Sequence, residues 1–181
     1  MKLPASAYVG AIALLLVVPL AAAEVPASYP EAMRWYERAA ADGVADAQFL
    51  LGRMLETGRF RPRDASAAAG WYEKAAAQGH GLAQFRLGTM YATGLGVTAD
   101  PAAAAGWYQK AAAQGMAEAQ FNLGLLLLDK KDRAAHIDAA IWLSRAADAG
   151  IAGAVAMRDD VLGKLPAPDR AEVERRLGTK R

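Results

Sequence analysis

An all-α solenoid of stacked helix pairs is the fold class that the sequence predicts, on three observations. All four tryptophans, Trp35, Trp71, Trp107 and Trp142, sit in one recurring phrase, spaced 36, 36 and 35 residues apart. A glycine follows each phrase in the same register: Gly43, Gly79, Gly115 and Gly150. A second phrase recurs between them as Ala47-Gln48-Phe49-Leu50-Leu51-Gly52, Ala83-Gln84-Phe85-Arg86-Leu87-Gly88 and Ala119-Gln120-Phe121-Asn122-Leu123-Gly124. A period of this size marks units that bury their apolar faces against one another.

The first 23 residues read as a separate object. Lys2 gives a positive start, Ala5 to Leu20 is almost wholly apolar, Pro19 interrupts it, and Ala21-Ala22-Ala23 precedes Glu24. That is the pattern of a secretory signal peptide with an A-x-A site, so cleavage is expected between Ala23 and Glu24. The apolar run is also just long enough to span a bilayer as an uncleaved anchor. No cysteine stands at the junction, which excludes a lipoprotein. The expected location is therefore periplasmic or secreted.

The remaining 158 residues fit one domain. They carry 20 basic and 19 acidic residues, without the clustered basic excess that nucleic-acid capture requires. There is no cysteine, so an exported chain must rely on packing rather than disulfides.

In the tryptophan phrase, Ala32, Trp35, Tyr36, Ala39 and Ala40 fall at i, i+3, i+4, i+7 and i+8, one face of an α-helix. Ala68, Trp71, Tyr72, Ala75 and Ala76 fill the same slots in the next copy. Tryptophan helices are expected near 31–42, 65–78, 101–114 and 138–149, each ended by its glycine. In the second phrase Ala47, Leu51, Met54 and Leu55 make an apolar stripe. Its internal glycine costs up to about 1 kcal/mol against alanine, so three copies in register imply close helix–helix contact there. Gly58 and Gly94 end these helices. Asp64, and Asp100 followed by Pro101, read as N-caps of the next tryptophan helices. The third connection, Asp129 to His136, has lost its glycines and reads as a polar loop. The solenoid is expected to occupy 24–165, with a charged capping helix and tail over 166–181.

The phrase A-x-x-x-L-G-x-x-Y-x-x-G-x-G-V, followed by A-x-x-W-Y-x-K-A-A-x-x-G, closely resembles the Sel-one-like repeat (SLR), a relative of the tetratricopeptide repeat. The fullest copy runs from Ala83 through Tyr91, Gly94, Gly96 and Val97 to Trp107 and Gly115. The resemblance covers about Tyr29 to Ala154. It implies antiparallel helix pairs in a right-handed superhelix, with the Leu-Gly helix on the concave side, and a role in protein–protein interaction.

Chemistry is sparse. The two histidines, His80 and His136, read as solvated loop residues; no metal site is expected, since one needs three or four ligands. Ser66 and Ser144 lack a lysine three residues on, so S-x-x-K is absent. Some cysteine-rich SLR proteins are associated with β-lactams, but this chain lacks their cysteines. Gly94-Leu95-Gly96-Val97-Thr98-Ala99 mimics a dinucleotide fingerprint without the strand that should precede it. No cofactor and no catalytic residue is expected, and the chain is not expected to be an enzyme.

Two ladders remain. Arg38, Lys74, Lys110 and Arg145 repeat one basic position, read as stems covering alanines with their charge in water, against a stripe for an acidic partner. On the Leu-Gly helices one stripe reads Asp46, Phe49, Arg53, Glu56, then Leu82, Phe85, Thr89, Ala92, then Glu118, Phe121, Leu125, Leu128. Only phenylalanine is constant. Positions fixed by stacking should agree between copies, so Phe49, Arg53, Phe85, Thr89, Phe121 and Leu125 are the candidate partner-binding residues. The competing reading packs the phenylalanines between units. The expected partner is a protein or peptide in the bacterial envelope. Rival functions are a cell-wall-peptide or β-lactam hydrolase and a secreted host-protein binder.

Overall fold

A computed structural model of the chain describes residues 29–178, with side chains from Met33 onward. The expected leader, its Ala23/Glu24 junction, the side chain of Ala32 and residues 179–181 lie outside the described residues.

The described residues form helices and no strands. These are α1 (Tyr29–Ala41), α2 (Ala45–Thr57), α3 (Ala65–Ala77), α4 (Gly81–Thr93), α5 (Pro101–Ala113), α6 (Ala117–Leu128), α7 (Arg133–Asp148), α8 (Ala154–Lys164) and α9 (Ala167–Leu177). From α1 to α8 each helix packs on the next in sequence, and α9 folds back onto α7. Such nearest-neighbour packing is the signature of a helical solenoid. None of these helices is long and apolar enough to cross a membrane.

The tryptophan helices α1, α3, α5 and α7 form as the periodicity predicts, but the two rings of each phrase divide their work. Tyr36, Tyr72 and Tyr108 are buried, while Trp35, Trp71, Trp107 and Trp142 stay half-buried. The tyrosine points at the preceding Leu-Gly helix. A Cβ placed on Gly88 would lie 2.8 Å from the Tyr108 ring, and one on Gly52 would lie 2.8 Å from Tyr72. Gly124 meets Leu143 in the same way, at 2.7 Å. The internal glycines are therefore seats for the next helix's large side chain, and their helix-propensity cost is offset by that contact.

The caps follow the sequence signals. Asp64 Oδ1 accepts from Ala67 N at 2.9 Å, and Asp100 Oδ1 accepts from Ala102 N and Ala103 N. Gly43, Gly79, Gly115 and Gly150 all adopt left-handed backbone, φ +82° to +94°.

Two local expectations are corrected. The third connection is only Asp129–Asp132. Asp132 caps Ala134 N, and α7 starts at Arg133, a turn earlier than the glycine-bearing loops allow. His136 consequently lies inside α7, half-buried, and not in a loop. His80 is the N-cap of α4: its Nδ1 accepts from Ala83 N at 3.1 Å, and its ring stacks on Phe49 with centroids 4.6 Å apart. It is not a solvated loop residue.

At the far end the repeat is replaced by a cap. Asp169 is buried and takes a forked contact from Arg133, with Nε 2.8 and 3.0 Å from its two oxygens. Arg176 donates to Asp138 at 2.7 Å. Val173, Leu165 and Val161 close over Ile141 and Leu143 of α7. The charged last helix thus shields the apolar side of α7 that another repeat would otherwise cover.

Candidate partner-binding face

The Leu-Gly helices α2, α4 and α6 each turn one side into the stack. Ala47, Leu51, Met54 and Leu55 are buried on α2, and Ala83, Leu87 and Met90 on α4. The other side carries the candidate residues, and the six do not share one environment. Arg53 is exposed. Phe85, Thr89, Phe121 and Leu125 are half-buried. Phe49 is buried between the next unit's Tyr72, centroids 5.6 Å apart, and His80. Phe85 lies 5.8 Å from the Tyr108 ring. At least these two phenylalanines serve packing between units.

Thr89 is also in use. The Tyr108 hydroxyl donates to Thr89 Oγ1 at 3.1 Å, and Thr89 Oγ1 donates to Phe85 O. One unit earlier the Tyr72 hydroxyl donates to Glu56 at 2.6 Å. Burial and the Glu56 carboxylate both push the Tyr72 phenol far up from its ordinary value, so it remains a donor. Arg53, Arg86 and Leu82 are accessible to a partner, the last 50 % exposed. Leu82 lies on the same stripe, where the other copies hold Asp46 and Glu118.

The four residues of the basic ladder are exposed, and three of them carry a ring contact that the spacing did not show. Lys74 Nζ sits 4.0 Å over the Trp71 ring, Lys110 Nζ 3.9 Å over Trp107, and the Arg145 guanidinium 4.8 Å over Trp142. Each charge rests on the open face of its own helix's tryptophan, a contact of about 0.5–1 kcal/mol at exposed sites. Three members of the ladder thus also cover rings, while Arg38 Nε donates to Arg34 O at 3.3 Å.

One buried feature escaped the sequence reading. Gln48, Gln84 and Gln120 are buried, and each donates to the last turn of the preceding tryptophan helix, at Ala40 O, Ala76 O and Ala112 O, 3.1–3.2 Å. Gln78 and Gln114 then donate to Gln48 Oε1 and Gln84 Oε1 at 2.8 and 2.7 Å, tying each unit to the next. An amide at one register of an apolar helix in all three copies was the available signal.

No group of three or more histidine, cysteine or acidic side chains able to hold a metal occurs among the described residues. The arrangement offers surfaces rather than a converging set of reactive groups.

The Sel1 repeat pattern matches residues 22–44, 45–80, 81–116 and 117–151. The chain belongs to the Sel1 repeat family. Among solved structures it is similar to a Sel1 repeat protein from Oxalobacter formigenes, with 33 % identity and a TM-score of 0.67. That match covers 75 % of this chain and 56 % of the other. It is also similar to a protective antigen of uropathogenic Escherichia coli with an SLR fold, 31 % identical at a TM-score of 0.69. There it covers 84 % of this chain and 34 % of the other. The chain thus spans about half of one structure and a third of the other. No curated protein matches the sequence. Sel1 repeat proteins generally mediate protein–protein interaction and are typically non-enzymatic scaffolds.

Proposed function

We propose that this Sel1 repeat protein is a non-enzymatic adaptor of the bacterial cell envelope, holding a peptide or partner domain on the outer stripe of α2, α4 and α6. The observation that carries the reading is Leu82. It is a large apolar side chain, half exposed, on a helix whose core positions are already filled. Arg53, on the same stripe of α2, and Arg86, on α4, are also exposed, and both positions vary between copies. Aliphatic and arginine side chains on a rigid helical face are the usual anchors of helix-groove recognition. The leader pattern before Glu24 supports export.

A photo-crosslinking residue at position 82, used in native cells, should trap a partner that mass spectrometry identifies. Leu82→Arg with Arg53→Glu should weaken capture of that partner at least tenfold, since a central anchor contributes about 2 kcal/mol. Both side chains are exposed, so thermal unfolding should be unchanged. Capture at wild-type strength by the double variant would move the site off this face.

A further inference from the structure

The connection between α2 and α3 departs from its counterpart one unit later at all five residues between its glycine and its capping aspartate. In the later loop Leu95 and Val97 turn inward against the core, and Gly96 adopts φ +73°. Gly96 must lack a side chain, because a Cβ there would come within 2.3 Å of Ala65 O. The same register in the earlier loop holds Arg59, Phe60 and Arg61, with Arg63 two residues on. Phe60 has φ +76° and is the one non-glycine residue with positive φ among the described residues. A bulky side chain in that region is strained, and such strain persists where something other than local stability retains it. Phe60 is 54 % exposed, and the Arg59 guanidinium rests 4.8 Å from its ring.

The acids nearby are engaged. Glu37 pairs with Arg61, and Asp64 caps α3. Glu56 takes the Tyr72 hydroxyl and lies 3.9 Å from Arg86. Arg63 uses its Nε on Glu56 O, and Arg53, Arg59 and Arg63 are all exposed. The loop therefore presents an aromatic ring amid a local cationic excess.

We propose that this loop, Gly58–Asp64, is a contact for an anionic phospholipid surface. The ring enters the interfacial layer and the exposed Arg59 and Arg63 fork lipid phosphates. A protein hot spot of this composition would sit in a pocket, whereas here the Phe60 ring is 54 % exposed and Arg59 and Arg63 are exposed beside it, as a planar surface requires. Arginine also suits phosphate in particular, through paired N–H donors.

The chain has no cysteine, so Phe60→Cys gives a unique attachment point for an environment-sensitive fluorophore. The probe reports position 60 alone, whatever the apolar leader does. Phosphatidylglycerol-containing vesicles should shift its emission to the blue and raise its intensity. Pure phosphatidylcholine vesicles should not, and 0.5 M salt should reverse the effect. Each arginine near such a surface strengthens partition about fivefold, so Arg59→Ser with Arg63→Ser should weaken it about twenty-fivefold. The same fluorophore at Gly70→Cys, exposed on α3, should stay unchanged. An equal response at position 70, an equal response to phosphatidylcholine, or none at position 60 would overturn the proposal. A matching response to soluble polyglutamate would assign the loop to an acidic protein instead.

Discussion

Replacing a helical glycine by alanine should change sign between Gly88 and Gly106. Neither has the left-handed backbone that glycine alone tolerates. In open helix the exchange gains up to about 1 kcal/mol, because alanine loses less entropy on folding. Gly106 meets nothing within 4 Å of a built Cβ, so Gly106→Ala should realise that gain. At Gly88 the new methyl would stand 2.8, 2.9 and 3.2 Å from three carbons of the Tyr108 ring. The ring cannot easily retreat. Tyr108 is buried, Phe85 lies beside it, and its hydroxyl is held by Thr89. Overpacking of this kind costs about 1–3 kcal/mol, which exceeds the propensity gain. Gly88→Ala should therefore be destabilising by about 1–2 kcal/mol net, and Gly88→Leu by more. Urea unfolding followed by circular dichroism measures both, with melting temperature as a second readout because repeat arrays can depart from two-state behaviour. Tyr108→Ala supplies the internal control: in that background Gly88→Ala should cost nothing, a coupling of at least 1 kcal/mol. Gln78, though exposed, is a poor reference site, since its amide is bonded to Gln48. If Gly88→Ala were as stable as wild type, the tight seating of tyrosine on glycine would be wrong.

Burial lowers the His80 imidazole from its ordinary value, with Asp46 opposing more weakly. A depressed histidine favours the neutral folded form, so its stabilisation is complete above the unfolded value near 6.5 and is lost as pH falls below it. The unfolding midpoint of wild type should thus drop between pH 7 and pH 5 more than that of His80→Asn, which keeps a capping oxygen without titrating. Gln84→Leu removes the side-chain donor to Ala76 O and one of the two acceptors of the Gln114 amide, which keeps Gly79 O, and should cost about 1–3 kcal/mol by chemical denaturation. N-terminal sequencing of the exported protein should begin at Glu24; a membrane-held form beginning at Met1 would refute cleavage.

Helix pairs, their stops and the glycine seats were legible because each rests on periodicity or on a residue with one dominant backbone use. The glutamine ladder was hidden because its acceptors are backbone carbonyls of another helix, which no side-chain pattern displays. His80 was misread for a related reason. Histidine is an uncommon N-cap, and its stacking partner Phe49 lies 31 residues away. The extra turn of α7 was obscured because losing two glycines looked like loss of order, when it removed the requirement for a loop.

The tyrosine slot also explains part of the divergence that first marked the candidate stripe. Where that slot holds Tyr72 the facing stripe supplies Glu56, and where it holds Tyr108 it supplies Thr89. Where it holds Leu143, with no hydroxyl, the corresponding stripe positions are Leu125 and Leu128. Variation there follows the ring opposite and needs no ligand. What this pairing leaves unexplained is the exposed set Arg53, Leu82 and Arg86, which is why the proposed contact centres on them. A double-mutant cycle separates the two kinds of variation. Thr89→Leu alone strands the Tyr108 hydroxyl and should cost about 1–3 kcal/mol. Combined with Tyr108→Leu it recreates the apolar pairing of the third copy, so the Thr89→Leu penalty should largely vanish in that background. An undiminished penalty there would show that Thr89 contributes through something other than Tyr108, and would return it to the candidate binding residues.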